Sequence, residues 1–305
     1  MNWSVVQQPP PSVWAAVGLS VFHVSMFVGL IYVFMVVSRV PDVSIHNRNH
    51  PQIIARRILG VSTSAAASLL ITAMTLHGWQ QQQQQQQDPA EEEGDRGWLA
   101  VGRQMGLAPQ RACGSLVVGL VLTVVLYTGP LVLDYLDGSF TWAAVSRFVS
   151  ELRTLRTKQR DCIVGPLTEE LVFRASIVPL WLASGVSPVM CIFVSPVLFG
   201  LAHLHQGYRL LSDGASLAQA AASTAVQLTY TTLFGWFAVA VFIRSHSVVA
   251  PVAAHVICNI QGLPDLGRIN EYQGLGRYAI WAAFVLGLFG FVLLFEPMTR
   301  PGVFV

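Results

Sequence analysis

The stretch VWAAVGLSVFHVSMFVGLIYVFMVV, residues 13–37, decides the class of fold. It contains no Asp, Glu, Lys or Arg. A helix of about 20 apolar residues crosses the hydrocarbon layer of a bilayer, which is about 30 Å thick. Three consecutive prolines and no basic residue precede it, so we expect a retained span and not a cleaved signal peptide. The stretch therefore predicts an integral membrane protein.

The composition of the whole chain agrees with this prediction. Of its 305 residues, 53% are hydrophobic and 11% are charged, and the mean hydropathy is +0.54. A soluble domain has about 25% charged residues. The net charge of +2 is too small to indicate a nucleic-acid partner. The four cysteines include no CxxC pair, so neither a zinc ribbon nor a disulfide framework is indicated.

Further apolar runs predict about eight membrane segments in an all-α, polytopic helix bundle. Several are short or interrupted by Gly or Pro, which is tolerated where protein or a wet cavity shields the backbone. After residues 13–37, the predicted segments are 59–76, 116–133, 162–182, 188–204, 217–243, 248–260 and 278–295. We expect residues 1–305 to form a single membrane domain.

Two stretches between the spans have a different character. Residues 80–96 combine a glutamine tract with a run of acids, a composition that predicts a disordered loop. Residues 139–160 place apolar side chains at helical spacing among basic ones, which predicts an amphipathic helix in the membrane interface. Loops 38–58 and 137–160 are rich in arginine, and basic loops stay in the cytosol. We therefore expect these two loops to be cytosolic and both termini to be lumenal.

The first candidate site is the sequence EELVFR, from Glu169 to Arg174. An ionisable side chain in a membrane segment is a functional candidate by default. On a helix, Glu170 and Arg174 lie one turn apart and can pair, whereas Glu169 points about 100° away. One carboxylate can thus be held by arginine while the other projects into a cavity as a general base. A purely structural ion pair at a helix start is the alternative.

Two further motifs place histidines in membrane segments. Phe199 and His203 lie one turn apart, and so do His255 and Asn259. The second pair can aim two donors at one point, which fits an oxyanion site. Buried hydrogen bonds between helices are the alternative for each pair. Cys258 lies three residues after His255 and allows a Cys–His nucleophile, but that reading gives the glutamates no role.

Taken together, EExxxR, FxxxH and HxxxN in this order resemble the type II CAAX prenyl endopeptidases, within a broader group of intramembrane proteases. The resemblance covers residues 161–265, including the stretch from Tyr230 to Gly235. It implies a transmembrane bundle of eight helices in the endoplasmic reticulum membrane, with a catalytic cavity open to the cytosol. The implied partners are membrane lipid and prenylated CAAX proteins such as Ras-like small GTPases, from which the last three residues are removed.

The resemblance also implies a role for each motif residue. Glu169 activates water as the general base, and His203 holds and polarises that water. His255 and Asn259 stabilise the oxyanion. Glu170, Arg174 and Phe199 support the site.

No cofactor is implied, and we expect no metal. Glu169, His203 and His255 could nevertheless ligate zinc in a three-ligand site. A nearby arginine disfavours a cation, and the chain has no HExxH motif. Two further alternatives are a non-proteolytic scaffold of the same fold and a transporter. A transporter would be expected to show an internal repeat, which the sequence does not show.

Overall fold

The computed structural model of the chain describes residues 12–37, 47–84 and 97–304. Those residues contain no β-strand, which confirms the all-α prediction. The α-helices, in chain order, are α1 (Val13–Val37), α2 (Pro51–Gln84), α3 (Trp98–Gln104), α4 (Ala112–Leu126), α5 (Thr128–Leu136), α6 (Trp142–Thr154), α7 (Arg156–Gln159), α8 (Gly165–Val172), α9 (Val178–Ala183), α10 (Pro188–Ala202), α11 (Leu204–Ser212), α12 (Leu217–Ser245), α13 (Val249–Gln261) and α14 (Gly274–Met298).

Shorter helical turns link several of these helices. π-Helical turns occupy Arg160–Val164 and Phe173–Ile177, so the chain from α7 to α9 is one helical run with two wide turns. Short 3₁₀ turns occupy Pro109–Arg111, Leu266–Glu271 and Pro301–Phe304. π turns inside helices are frequent at functional sites.

Six stretches of the described residues are helical, long and apolar enough to cross a membrane. They are Val13–Val37, Pro51–Gln83, Trp98–Leu126, Pro188–Ser212, Leu217–Ser245 and Gly274–Met298. The remaining predicted segments, 162–182 and 248–260, correspond to the helical run with π turns and to the short helix α13. The polytopic helical bundle is therefore confirmed, and the predicted total of about eight counts these two shorter segments as well.

Several helix boundaries differ from the predicted ones. Helix α2 extends beyond the predicted 59–76 and includes residues 80–84, so the predicted disordered loop does not begin at residue 80; residues 85–96 lie outside the described residues. Glutamine has good helix propensity, which explains the extension. The predicted helix over 139–160 is broken at Leu155, whose backbone is extended.

The described residues form two compact units, each made of two stretches of chain. The first unit comprises the described residues of Met1–Ala108 together with Thr168–Val248. Small residues let its helices approach closely, as is common in membrane bundles. A Cβ added to Gly60 of α2 would lie 2.9 Å from the carbonyl oxygen of Leu30 in α1.

The second unit comprises Pro109–Leu167 and Val249–Val305. Helix α13 packs closely against α4 in this unit, since a Cβ on Gly119 would lie 2.4 Å from the carbonyl oxygen of Ala250. Helix α14 packs on α5, where Phe284 covers Gly129. The position of α13 is therefore fixed mainly by contact with α4.

Candidate active site

The pair predicted between Glu170 and Arg174 is present and completely enclosed. Arg174 Nη1 lies 3.0 Å from Glu170 Oε1, and the two side chains are 1% and 0% exposed. The guanidinium also lies 4.6 Å from the ring centre of Phe199 and 5.5 Å from that of Phe234. A buried charge needs a partner, and aromatic faces add favourable electrostatic contact. The pair therefore forms a rigid support inside the first unit.

Glu169 is placed differently from its neighbour. Its side chain is half-buried, whereas Glu170 is fully enclosed. The two carboxylates point about 100° apart because they are consecutive on a helix. Both act electrostatically on Arg174. The helix thus uses one carboxylate for the internal pair and leaves the other partly exposed.

The π turn at Phe173–Ile177 begins directly after α8. Ser176 Oγ donates to the carbonyl oxygen of Leu171, five residues earlier, at 2.9 Å. The wider turn gives this carbonyl a side-chain partner and carries Arg174 in its first turn. The local geometry is therefore that of a helix adapted to hold a buried arginine.

His203 ends α10 with a fixed ring orientation. Its Nδ1 lies 2.9 Å from the carbonyl oxygen of Phe199, and its ring meets the Phe199 ring edge-to-face at a centroid distance of 5.0 Å. A carbonyl oxygen only accepts hydrogen bonds, so Nδ1 is the protonated nitrogen. In the neutral ring Nε2 is then an acceptor. The residue as a whole is half-buried.

The second unit holds the other two candidate residues, His255 and Asn259, one turn apart on α13. His255 is 7% exposed, and Asn259 is exposed. Asn259 Nδ2 donates to the carbonyl oxygen of Asp161 at 2.8 Å, which fixes the orientation of its amide. One N–H of the amide is used in this bond, and the second remains to act as a donor.

The structure thus groups the predicted residues within their units. In the first unit, Arg174 contacts Glu170 and Phe199, and Phe199 contacts His203. In the second unit, Asn259 is held by Asp161. The thiol of Cys258 neighbours the hydroxyl of Tyr127. Among the described residues, no group of three or more His, Cys, Asp and Glu side chains is arranged to hold a metal ion.

Two contributors were missing from the predicted site. Phe234 supplies the second aromatic face on Arg174, and the Asp161 carbonyl orients Asn259. Phe234 lies in a stretch that carries the family resemblance, so the sequence could have indicated that it belongs to the site. The backbone acceptor left no signal, because any residue type supplies a carbonyl.

The stretch of chain that carries the three motifs matches a known protein family. Residues 159–261 match the family described as "Type II CAAX prenyl endopeptidase Rce1-like". The chain is 31% identical to CAAX prenyl protease 2 of Arabidopsis thaliana over 94% of its length and 90% of the relative's. It is 30% identical to CAAX prenyl protease 2 of Caenorhabditis elegans, over 84% and 89% of the two chains.

A shorter alignment to a third relative has a higher sequence identity. The chain is 46% identical over 114 residues to the probable CAAX prenyl protease 2 of Schizosaccharomyces pombe, covering 37% of this chain and 42% of the relative. No solved structure matches significantly. The two long alignments extend well beyond the motifs, and on these grounds the chain belongs to the type II CAAX prenyl endopeptidase family.

Proposed function

We propose that this chain is an intramembrane endopeptidase that removes the last three residues from proteins whose CAAX cysteine carries a farnesyl or geranylgeranyl group. Family membership and the six apolar helices support this activity. The observation that carries the mechanism is the contrast within one helical turn. Glu170 is locked to Arg174, while Glu169 remains accessible.

Glu169 acts as the general base. Its carboxylate takes a proton from water, the water oxygen bonds to the scissile carbonyl carbon, and the π electrons move to the carbonyl oxygen. When the C–N bond breaks, the proton returns from Glu169 to the departing amine. The neutral His203 ring accepts a hydrogen bond from the same water at Nε2, since Nδ1 is committed to Phe199.

His255 and Asn259 stabilise the oxyanion in this reaction. Asn259 offers its second Nδ2–H, because the Asp161 carbonyl has fixed the amide in one orientation. A donor that is already oriented costs no reorganisation as negative charge develops. Water attacks directly in this scheme, so no acyl-enzyme on Cys258 is required.

The membrane delivers the substrate. A prenyl chain gains about 0.8 kcal/mol for each CH₂ that it buries in lipid, which holds the modified cysteine at the interface. The arginine-rich loops 38–58 and 137–160 favour a cytosolic active site in the endoplasmic reticulum membrane. Prenylated Ras-like small GTPases are then accessible substrates, since their C-termini lie on the same side.

Release of the C-terminal tripeptide from a farnesylated CAAX peptide tests the activity. Purified protein in lipid vesicles is assayed as wild type, Glu169→Gln and Cys258→Ala, each with and without a zinc chelator. We expect activity that survives the chelator and Cys258→Ala and is lost in Glu169→Gln. Glu271→Gln is the matched control, because this carboxylate is exposed and lies outside the site.

Each other result identifies a different alternative. Loss of activity with the chelator would favour a zinc-dependent protease. Loss in Cys258→Ala alone would favour the thiol nucleophile. A folded wild-type protein that cleaves neither farnesylated nor geranylgeranylated peptide would favour a non-proteolytic scaffold of the same fold.

A further inference from the structure

Three aromatic rings from different helical stretches meet beneath the candidate base. The ring of Phe173, in the π turn after α8, lies 4.9 Å from that of Phe199 in α10. The Phe199 ring lies 6.4 Å from that of Phe234 in α12. The Arg174 guanidinium lies against the last two rings. We call Phe173, Phe199 and Phe234 the aromatic layer; all three belong to the first unit.

The close contacts of three glycines show how α12 is aligned with α10 and α11. Gly235 faces Pro196, Gly200 faces Thr232, and Gly207 faces Thr224. Residue numbers rise along one partner as they fall along the other, so α12 runs antiparallel to them. One turn after Phe199 is His203, and one turn before Phe234 is Tyr230. These two residues are therefore level with each other, one turn away from the aromatic layer.

Helix α8 is aligned with α10 in a similar way. The run from α8 to α9 is joined to α10 by the short connection 184–187, so the two are antiparallel neighbours. One turn before Phe173 is Glu169. Glu169, His203 and Tyr230 thus share one level, which we call the polar layer.

The Tyr230 hydroxyl also lies within electrostatic range of the Glu169 carboxylate. Tyr230 is 37% exposed, and Glu169 and His203 are half-buried, in contrast to the enclosed Glu170–Arg174 pair. The polar layer is therefore the accessible level of this unit, and Tyr230 is part of it.

The hydrogen-bonding roles in this layer are complementary. The carboxylate of Glu169 accepts, and the neutral His203 ring accepts at Nε2 because Nδ1–H is bound to Phe199. The phenol of tyrosine is a donor at neutral pH, since its ordinary pKa is about 10. Glu169 and His203 can each accept a hydrogen bond from one of the two hydrogens of the attacking water. The Tyr230 hydroxyl can donate a hydrogen bond to the negative charge that develops on the substrate.

We infer that Tyr230 is a further catalytic residue, whose hydroxyl donates a hydrogen bond to the tetrahedral intermediate. In the resting enzyme this hydroxyl lies within electrostatic range of the Glu169 carboxylate. Once Glu169 has taken the water proton, its charge is gone and the hydroxyl turns to the new oxyanion. The phenol keeps its proton throughout, so the balance of the hydrolysis is unchanged.

The inference rests on the proposed function, and its test compares Tyr230→Phe with Tyr230→Ala. Tyr230→Phe removes only the hydroxyl, whereas Tyr230→Ala removes the ring as well. A preorganised donor in an oxyanion site contributes about 10²-fold to kcat. We expect Tyr230→Phe to lower kcat about 100-fold with KM unchanged, because the bond forms only in the transition state.

Two controls make the result specific. Tyr208→Phe removes a hydroxyl from a side chain that is 72% exposed on α11, and it should retain wild-type kcat. Titration with a non-cleavable farnesylated peptide counts the folded binding sites, so that kcat is expressed per site even if a variant folds in lower yield.

The outcomes separate this inference from the proposed function. Wild-type kcat in Tyr230→Phe overturns the inference while leaving the protease function intact. A rise in KM alone in Tyr230→Phe, or a loss confined to Tyr230→Ala, also overturns it, since the ring would then bind substrate without the hydroxyl acting in catalysis. Absence of cleavage by the wild type contradicts the proposed function itself.

Discussion

At the scale of single residues, the two adjacent glutamates have separate roles. Glu170 and Arg174 pair with each other in a fully buried position, and Glu169 is left half-buried. Helical geometry made this division predictable, because residues one turn apart pair and consecutive residues diverge. Helical spacing did not predict that the rings of Phe199 and Phe234 contact Arg174, since these rings come from helices distant in sequence.

Replacing Glu170 with glutamine should destabilise the protein. Arg174 would lose its anionic partner while remaining buried, and breaking a buried pair in this way costs about 3–5 kcal/mol. We expect a clear fall in the melting temperature of the detergent-solubilised protein, and almost no change for Glu169→Gln. Equal melting temperatures for wild type and Glu170→Gln would show that the pair does not support the fold.

At the scale of helices, the glycine contact between α4 and α13 determines where the HxxxN motif lies. The Cβ of alanine at position 119 would lie 2.4 Å from the Ala250 carbonyl oxygen, so α13 must shift. Forcing extra volume into such a contact costs about 1–3 kcal/mol. We expect Gly119→Ala to lower both the melting temperature and the rate of tripeptide release.

A matched glycine provides the control for this prediction. Gly18 also lies within a helix, but a Cβ added there meets no atom within 4 Å. Gly18→Ala should therefore preserve activity. It should not reduce stability either, because alanine has a better helix propensity than glycine. Wild-type activity in Gly119→Ala would mean that the α4–α13 contact tolerates displacement.

A charged cluster joins the end of α5 to the turn that follows α13. Arg268 Nη1 lies 2.9 Å from Asp134 Oδ1, and Arg268 also contacts Asp137. Gln261, the last residue of α13, donates to Asp134 at 3.3 Å. Hydrogen bonds from Tyr272 and Arg268 hold the pKa of Asp137 below its usual range. The cluster therefore links the helix that carries His255 to its neighbour.

This cluster predicts a pH dependence of stability with a definite sign. A carboxyl whose pKa is lowered by folding contributes stability above its unfolded pKa, about 3.9, and loses it as pH falls through the folded value. The wild type should therefore melt above Asp137→Asn at pH 6, and the difference should shrink below pH of about 4. A difference in melting temperature that persists unchanged at pH 3 would contradict this role.

At the scale of the whole molecule, hydropathy predicted the class of fold and the approximate positions of the apolar helices. It did not predict their ends, because helices continue beyond the apolar layer, as α2 does into the glutamine tract. It also treated residues 116–133 as one span, whereas the structure separates α4 from α5 at Tyr127. Pro130 falls in the first turn of α5, where proline is tolerated.

Motif order predicted the candidate site more completely than the local spacing of any one motif. The glutamates, Phe199 and His203 could be chosen from the sequence, because each motif places two polar or aromatic residues one helical turn apart. The link from Asn259 to the Asp161 carbonyl could not, since it joins residues 98 apart in sequence through a backbone atom. Tyr230 was assigned to the site only from the alignment of three helices, which a single sequence does not reveal.

The most direct test of the central claim is the rate of tripeptide release by Glu169→Gln, measured per folded protein against the wild type. A general base typically contributes about 10²–10⁴-fold to the rate. We expect a loss of about 10³-fold in kcat with the melting temperature nearly unchanged, because Glu169 activates the water and does not support the fold. Cleavage at the wild-type rate by folded Glu169→Gln would contradict the account.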